Sequence, residues 1–146
     1  MIKEAKTQKE IEGALNVRYI SELKPLGISK KDVKKEDLND EPINLINVVD
    51  GKIVASVTAF LVSEKESALF YLGVLPEFES RGIGKKMVLA MEKLLKNKGI
   101  KKNSIVARNH LQKFYSGLGY TPVGKIKKYP GFAEKGIFHR KMVKNL

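Results

Sequence analysis

A chain of 146 residues that is 42% hydrophobic and 30% charged has the size and composition of one folded domain, residues 1–146, which excludes disorder as its default state. It has no cysteine, and its only histidines are His110 and His139, so disulfides, thiolate metal sites, a cysteine nucleophile and a histidine-rich metal centre are all excluded. The 28 Lys and Arg against 16 acids leave a net charge of +12, which favours anionic ligands.

Ile2 to Ala5 reads as a short first strand. Thr7-Gln8-Lys9-Glu10 has capping-box spacing, and Ile11, Ala14, Leu15, Tyr19 and Leu23 follow at helical spacing until Pro25 and Gly27. Ser29-Lys30-Lys31-Asp32 is a second capping box, opening a charged helix or loop to about Leu38. Ile43–Val49, Asp50-Gly51 and Ile53–Val62 form a strong hairpin signal. Ala68 to Leu75 is nearly all apolar, as a strand buried on both faces would be.

A polar connection from Pro76 to Arg81 leads into Gly82-Ile83-Gly84. A helix follows, with Met87, Val88, Met91, Leu94 and Leu95 on one stripe and Gly99 as its stop. Ser104–Ala107 is a short strand and His110–Gly117 a short helix. Tyr120–Lys125 and Ile137–Val143 are the last strands, joined around Pro130-Gly131. The order is mixed α/β with an antiparallel hairpin in the middle.

Chemistry is most legible at the strand–glycine–helix corner from Tyr71 to Met87. A helix N-terminus presents unpaired N–H groups and partial positive charge. Gly82 and Gly84 let a phosphate approach the backbone, with Arg81, Lys85 and Lys86 adding full charges. The spacing fails as a dinucleotide fingerprint, because Met87 stands at the third glycine. It fails as a Walker A loop, because Glu79 replaces the first glycine and Lys86 the Ser/Thr.

Val74-Leu75-Pro76-Glu77-Phe78-Glu79-Ser80-Arg81-Gly82-Ile83-Gly84 resembles motif A of the GNAT N-acetyltransferase superfamily, V-x-P-x-x-[QR]-x-x-G-x-[GA]. Glu79 departs from its Gln or Arg. Arg108-Asn109-His110-Leu111-Gln112-Lys113-Phe114-Tyr115-Ser116-Gly117-Leu118-Gly119-Tyr120 resembles motif B, with Arg108 aligned to the family's usual Asn. His110-Leu111-Gln112, Tyr120-Thr121-Pro122-Val123 and Gly136-Ile137-Phe138-His139-Arg140-Lys141-Met142 are similar to the ElaA-type branch, with Phe138 in place of a Pro. The resemblance runs from about Leu69 to Val143. Before Leu69 only the order of elements agrees.

The resemblance implies a single GNAT-type α/β domain, its mixed sheet of about six or seven strands flanked by about four helices. It implies an acetyl-CoA-dependent N-acetyltransferase working on a primary amine of a small molecule or peptide, by direct attack in a ternary complex. The backbone of Leu72 and Val74 would pair with the pantetheine arm. Ser80, Arg81, Gly82, Ile83, Gly84, Lys85 and Lys86 would hold the diphosphate, with Asn109 and Phe114 also on the cofactor. Tyr115 aligns with the general acid that protonates the coenzyme A thiolate. A phenol, protonated at neutral pH, suits that role. GNAT domains also often pair through their last strands, which implies a homodimer.

The base stays open. Phe70 occupies the place where related sequences tend to carry a Glu; a water chain, Glu77, Glu79, Glu134 or His139 could serve instead. For His139 the favoured reading is a side chain fixing the last strand by a hydrogen bond, ahead of a base. An acyl-CoA-binding module without transfer is the second reading, and a basic nucleic-acid-binding protein the third. The lysines are scattered and the aromatics are not interleaved with them, which suits a solvated surface better than a nucleic-acid face. No metal is expected. The charged start and the lack of an apolar run of ~20 residues lead to an expectation of the cytosol and no membrane span.

Overall fold

The computed structural model describes residues 1–29 and 42–146; the second capping box, the segment to Leu38 and its lysines fall largely outside the described residues. Strand β1 (Ile2–Glu4) leads into helix α1 (Gln8–Arg18) through the capping box the sequence spells. Thr7 Oγ1 accepts from the Glu10 N–H at 3.2 Å, and the Glu10 carboxylate accepts from the Thr7 N–H at 3.1 Å. The neighbouring Lys3 ammonium, then the Thr7 and Lys6 N–H groups, hold the Glu10 carboxyl well below its usual range, at about 2.

The first helix does not run on to Leu23 as expected. From Tyr19 to Leu23 it widens into a π-helical turn, tightens over Lys24–Leu26, and stops at Gly27 with φ 73°. Local chemistry accounts for the change. The Ser21 hydroxyl donates to the Val17 carbonyl at 2.7 Å, and Pro25 has no N–H to return to Ser21. Single π turns are frequent at functional sites.

Asp50 and Gly51 both take positive φ, 49° and 76°, as a two-residue hairpin turn requires. They join β2 (Ile43–Val49) to β3 (Lys52–Leu61). Then come β4 (Glu66–Val74), α2 (Ile83–Asn97), β5 (Lys102–Arg108), α3 (Gln112–Gly117), β6 (Thr121–Lys127) and β7 (His139–Asn145). The sheet order is β1-β2-β3-β4-β5-β7-β6. Every pairing is antiparallel except β4 with β5. This is the mixed single-domain sheet the sequence implies, with three α-helices among the described residues.

The α2 stripe packs as its spacing predicts. Met87, Val88, Met91 and Leu95 are fully buried with Val54, Val57, Leu69 and Met142. Each such side chain contributes about 1.5–3 kcal/mol by leaving water. Glu92, also on the buried side, is compensated by partners. The Tyr120 hydroxyl donates to its carboxylate at 2.7 Å and Lys144 Nζ at 2.8 Å. Asn103 Nδ2 donates to the same hydroxyl at 2.8 Å, and Ser67 Oγ donates to Asn103 Oδ1 at 2.8 Å. Tyr120→Phe strips this buried chain of its central link. Urea unfolding should register a loss of about 1–3 kcal/mol, the cost of leaving such groups unmatched.

Candidate active site

The cleft begins where the sheet splits. β4 and β5 pair only over Glu66–Leu69 and Lys102–Ile105. Beyond them β4 has a bulge: the register against β3 shifts between Ser56 and Thr58, so Tyr71 and Leu72 lie opposite Val57. Tyr71 takes φ 56°, which a bulky residue adopts only when its surroundings hold it there. Arg18 supplies part of that hold. Its guanidinium lies 3.9 Å from the Tyr71 ring centroid and donates to Thr58 Oγ1 at 2.9 Å. The expectation of a β4 buried on both faces is therefore corrected. Buried and half-buried residues alternate over Ser67–Phe70, and Phe70, Tyr71 and Leu72 are all half-buried where β5 no longer pairs and β4 opens onto the cleft.

Two cavities occupy this opening. The first, of about 420 Å³, runs along the end of β4 to the start of α2. Of the residues expected around the cofactor, it is lined by Leu72, Val74, Ser80, Gly82, Ile83, Gly84, Lys85 and Phe114. Arg81, Lys86 and Asn109 are not among its lining. The Arg81 guanidinium sits 5.1 Å from the Phe78 ring, and the Lys86 N–H bonds the Gly82 carbonyl at 3.2 Å. Asn109 ties down the chain before β7 instead, donating to the Gly136 carbonyl and accepting from the Phe138 N–H, each at 3.3 Å.

The lining has the features of an anion cradle. Gly82 precedes α2 with φ 75° and no side chain caps the helix. The N–H groups of Ile83, Gly84 and Lys85 come before the first intrahelical bond and point outward from the helix end. At Gly84 a Cβ would meet Phe114 Cζ at 3.7 Å and Leu72 Cδ2 at 3.8 Å; the glycine keeps that space open. Glu79 also lines the groove, as an exposed side chain.

The second cavity, of about 280 Å³, lies between the diverging strands and the last loop. Tyr115 enters its wall from α3 with 1% of its surface exposed. Burial first, and the Glu22 carboxylate second, push its hydroxyl pKa far up, so the phenol is protonated at any physiological pH. Phe70 lines the same cavity and packs edge-on to Phe60 at 5.2 Å. His139 stands edge-on between Tyr129 and Phe132, at 4.9 and 5.3 Å. Burial, then Arg108, lower its pKa, so the ring is neutral. Its Nδ1 is buried without a hydrogen-bond partner among the described residues, so that atom does not supply a strand-fixing bond there.

Glu77 and Glu134 lie outside both cavities, and Glu134 accepts from the Gly131 N–H at 2.8 Å. Sequence reasoning missed Glu22 and Arg108 as functional groups. Both line both cavities, at their junction. Glu22 stands on the π turn and is mostly buried; burial raises its carboxyl to about 7 against the pull of Arg108 and Arg18. The available signal was a carboxylate continuing the inward stripe beyond Ala14 and Val17. Among the described residues, no three or more His, Asp or Glu side chains converge as a metal site would need, and no helix is long and apolar enough to cross a membrane.

Comparison with known proteins matches this geometry. The chain is 33% identical over 86 residues to an acetyltransferase of Pectobacterium atrosepticum, covering 59% of this chain and 60% of that protein's length. In fold it superposes on Escherichia coli ElaA with a TM-score of 0.80 at 15% identity, covering 99% of this chain and 98% of the other. It also superposes on a GNAT family acetyltransferase of Elizabethkingia anophelis with acetyl-CoA bound, at TM-score 0.76 and 14% identity, covering 100% and 97%. Residues 13–120, which hold the split strands, the glycine corner and Tyr115, match the model of the acetyltransferase (GNAT) family, and the chain belongs to that family.

Proposed function

We propose that this protein transfers an acetyl group from acetyl-CoA to a primary amine of a small molecule or peptide. The observation that carries the reading is the pair of cavities meeting between β4 and β5, one ending in uncapped helix N–H groups and the other walled by a buried phenol. The diphosphate would lie against the N–H groups of Ile83, Gly84 and Lys85, with Ser80 and Gly82 shaping the turn and Arg81 and Lys86 contributing field from outside the groove. The pantetheine arm would follow Leu72 and Val74, where β4 has lost its β5 partner. Phe114 would close the groove's far wall.

The chemistry then needs no covalent enzyme intermediate. The chain has no cysteine to form a thioester, and direct attack by the amine on the bound thioester is the economical route. The nitrogen forms its bond to the carbonyl carbon, and the tetrahedral oxyanion collapses with loss of the C–S bond. Tyr115 donates to the sulfur as negative charge develops there, and the nitrogen's second proton refills the phenol. The amine attacks as its free base, one ammonium proton having been given up beforehand.

Coenzyme A release with acetyl-CoA and a panel of primary amines tests the proposal. Thiol should appear in proportion to acetylated amine identified by mass spectrometry. Bound acetyl-CoA with no turnover across the panel would instead favour a non-catalytic acyl-CoA-binding module.

A further inference from the structure

Resting on the acetyl-transfer reading, the geometry points to an acceptor class: we propose a free amino acid with an apolar or aromatic side chain, its ammonium on Glu22 and its carboxylate on Arg108. Among the described residues, the charged side chains lining the acceptor cavity are one carboxylate, Glu22, and one guanidinium, Arg108. They come from different elements, the π turn and the end of β5, both line both cavities, and Arg108 opposes the shift at Glu22. Yet no ion pair joins them. Two opposite charges held near each other without contact are complementary to the reversed pair carried on one α-carbon.

The rest of the wall supports this choice. Phe70, Tyr71, Tyr129 and Phe132 offer ring surface for an apolar side chain, and the Phe132 ring also holds Arg108, 5.4 Å from its centroid. Arg108 comes from β5, whereas the groups assigned to the diphosphate stand on and just before α2, so Arg108 is not one of them. An arylalkylamine without a carboxylate would bring its ammonium beside Arg108 with no compensation. A polyamine would meet one carboxylate, the guanidinium, and a protein of net charge +12.

Glu22 then has a chemical part. It takes one proton from the ammonium, the freed amine attacks the thioester carbonyl, and that proton passes from the carboxyl to solvent after product leaves. Among the described residues, the other charged and titratable groups around it are Arg18 on α1, Tyr71 on β4, Arg108 on β5, Tyr115 on α3, Tyr129 before β7 and His139 on β7, with Glu79, Lys85 and His110 lining the cofactor groove that Glu22 also borders.

Calorimetric titration of L-phenylalanine, phenethylamine and spermidine into the protein saturated with coenzyme A tests the assignment. L-phenylalanine should bind at least about tenfold more tightly than either amine, the size of effect that a charge-assisted bond supplies. Arg108→Met should weaken phenylalanine about tenfold while phenethylamine, relieved of the guanidinium, binds no more weakly than before. The wild-type comparison stands by itself should that variant fold poorly. Phenethylamine or spermidine binding as tightly as phenylalanine, or no binding of phenylalanine, would overturn the proposal. Thiol release in the same samples reads the acetyl-transfer step separately: selective amino-acid binding without release sinks that reading and keeps this pocket assignment.

Discussion

Tyr115→Phe is expected to lower kcat about 100-fold or more while leaving acetyl-CoA affinity within about twofold. A positioned general acid contributes on the order of 10²–10⁴. The hydroxyl makes no hydrogen bond to another described residue, so its removal costs the fold little. The ring itself stays in place, edge-on to Phe114 at 5.0 Å and to Tyr120 at 5.7 Å. Affinity should hold because Tyr115 lines the acceptor cavity and not the cofactor groove. Pre-steady-state mixing separates the two quantities. Unchanged turnover with acetyl-CoA still bound would remove the acid role.

Glu22→Gln should have an effect of similar size, with a distinct signature in pH. With Glu22 as proton acceptor, wild-type kcat/KM should rise with pH through an inflection near 7, as the carboxyl ionises. The glutamine variant should lose about 100-fold at pH 8 and lose that inflection, its rate rising only with the acceptor's own amine. Stability should move the other way. The folded carboxyl, raised from an ordinary 4.5 to about 7, holds a proton that the unfolded chain has released. The folded state therefore binds more protons across that window, and wild-type stability falls as pH rises through it. Glutamine carries no such dependence. Melting curves should show the variant gaining on the wild type between pH 5 and pH 8. A variant that keeps the inflection near 7 would assign it to another group.

These two residues differ in how far the sequence discloses them. Tyr115 sits in a contiguous motif beside Phe114, and its place on α3 follows from local spacing. The glycine corner is equally legible, since an uncapped helix start after Gly82 needs only neighbouring residues. Glu22 is different. Its position depends on the π turn, which arises from Ser21 bonding back to Val17, and on β5 delivering Arg108 from far along the chain. Neither is a periodic signal. The exposure of one side of β4 was hidden for a related reason. Its apolar run suits a buried strand, and only the early end of its pairing with β5 opens that side. Asn109 shows the converse: a motif-adjacent amide whose donor and acceptor are taken by Gly136 and Phe138.

On the acetyl-transfer reading, the groove between β4 and α2 takes the whole of acetyl-CoA, diphosphate and pantetheine together. Isothermal titration with acetyl-CoA, using desulfo-CoA and ATP as comparisons, measures this directly. Acetyl-CoA and desulfo-CoA should bind alike, and ATP at least about tenfold more weakly, because ATP engages the α2 N–H groups without the strand. No heat from acetyl-CoA, or ATP binding equally well, would contradict the account.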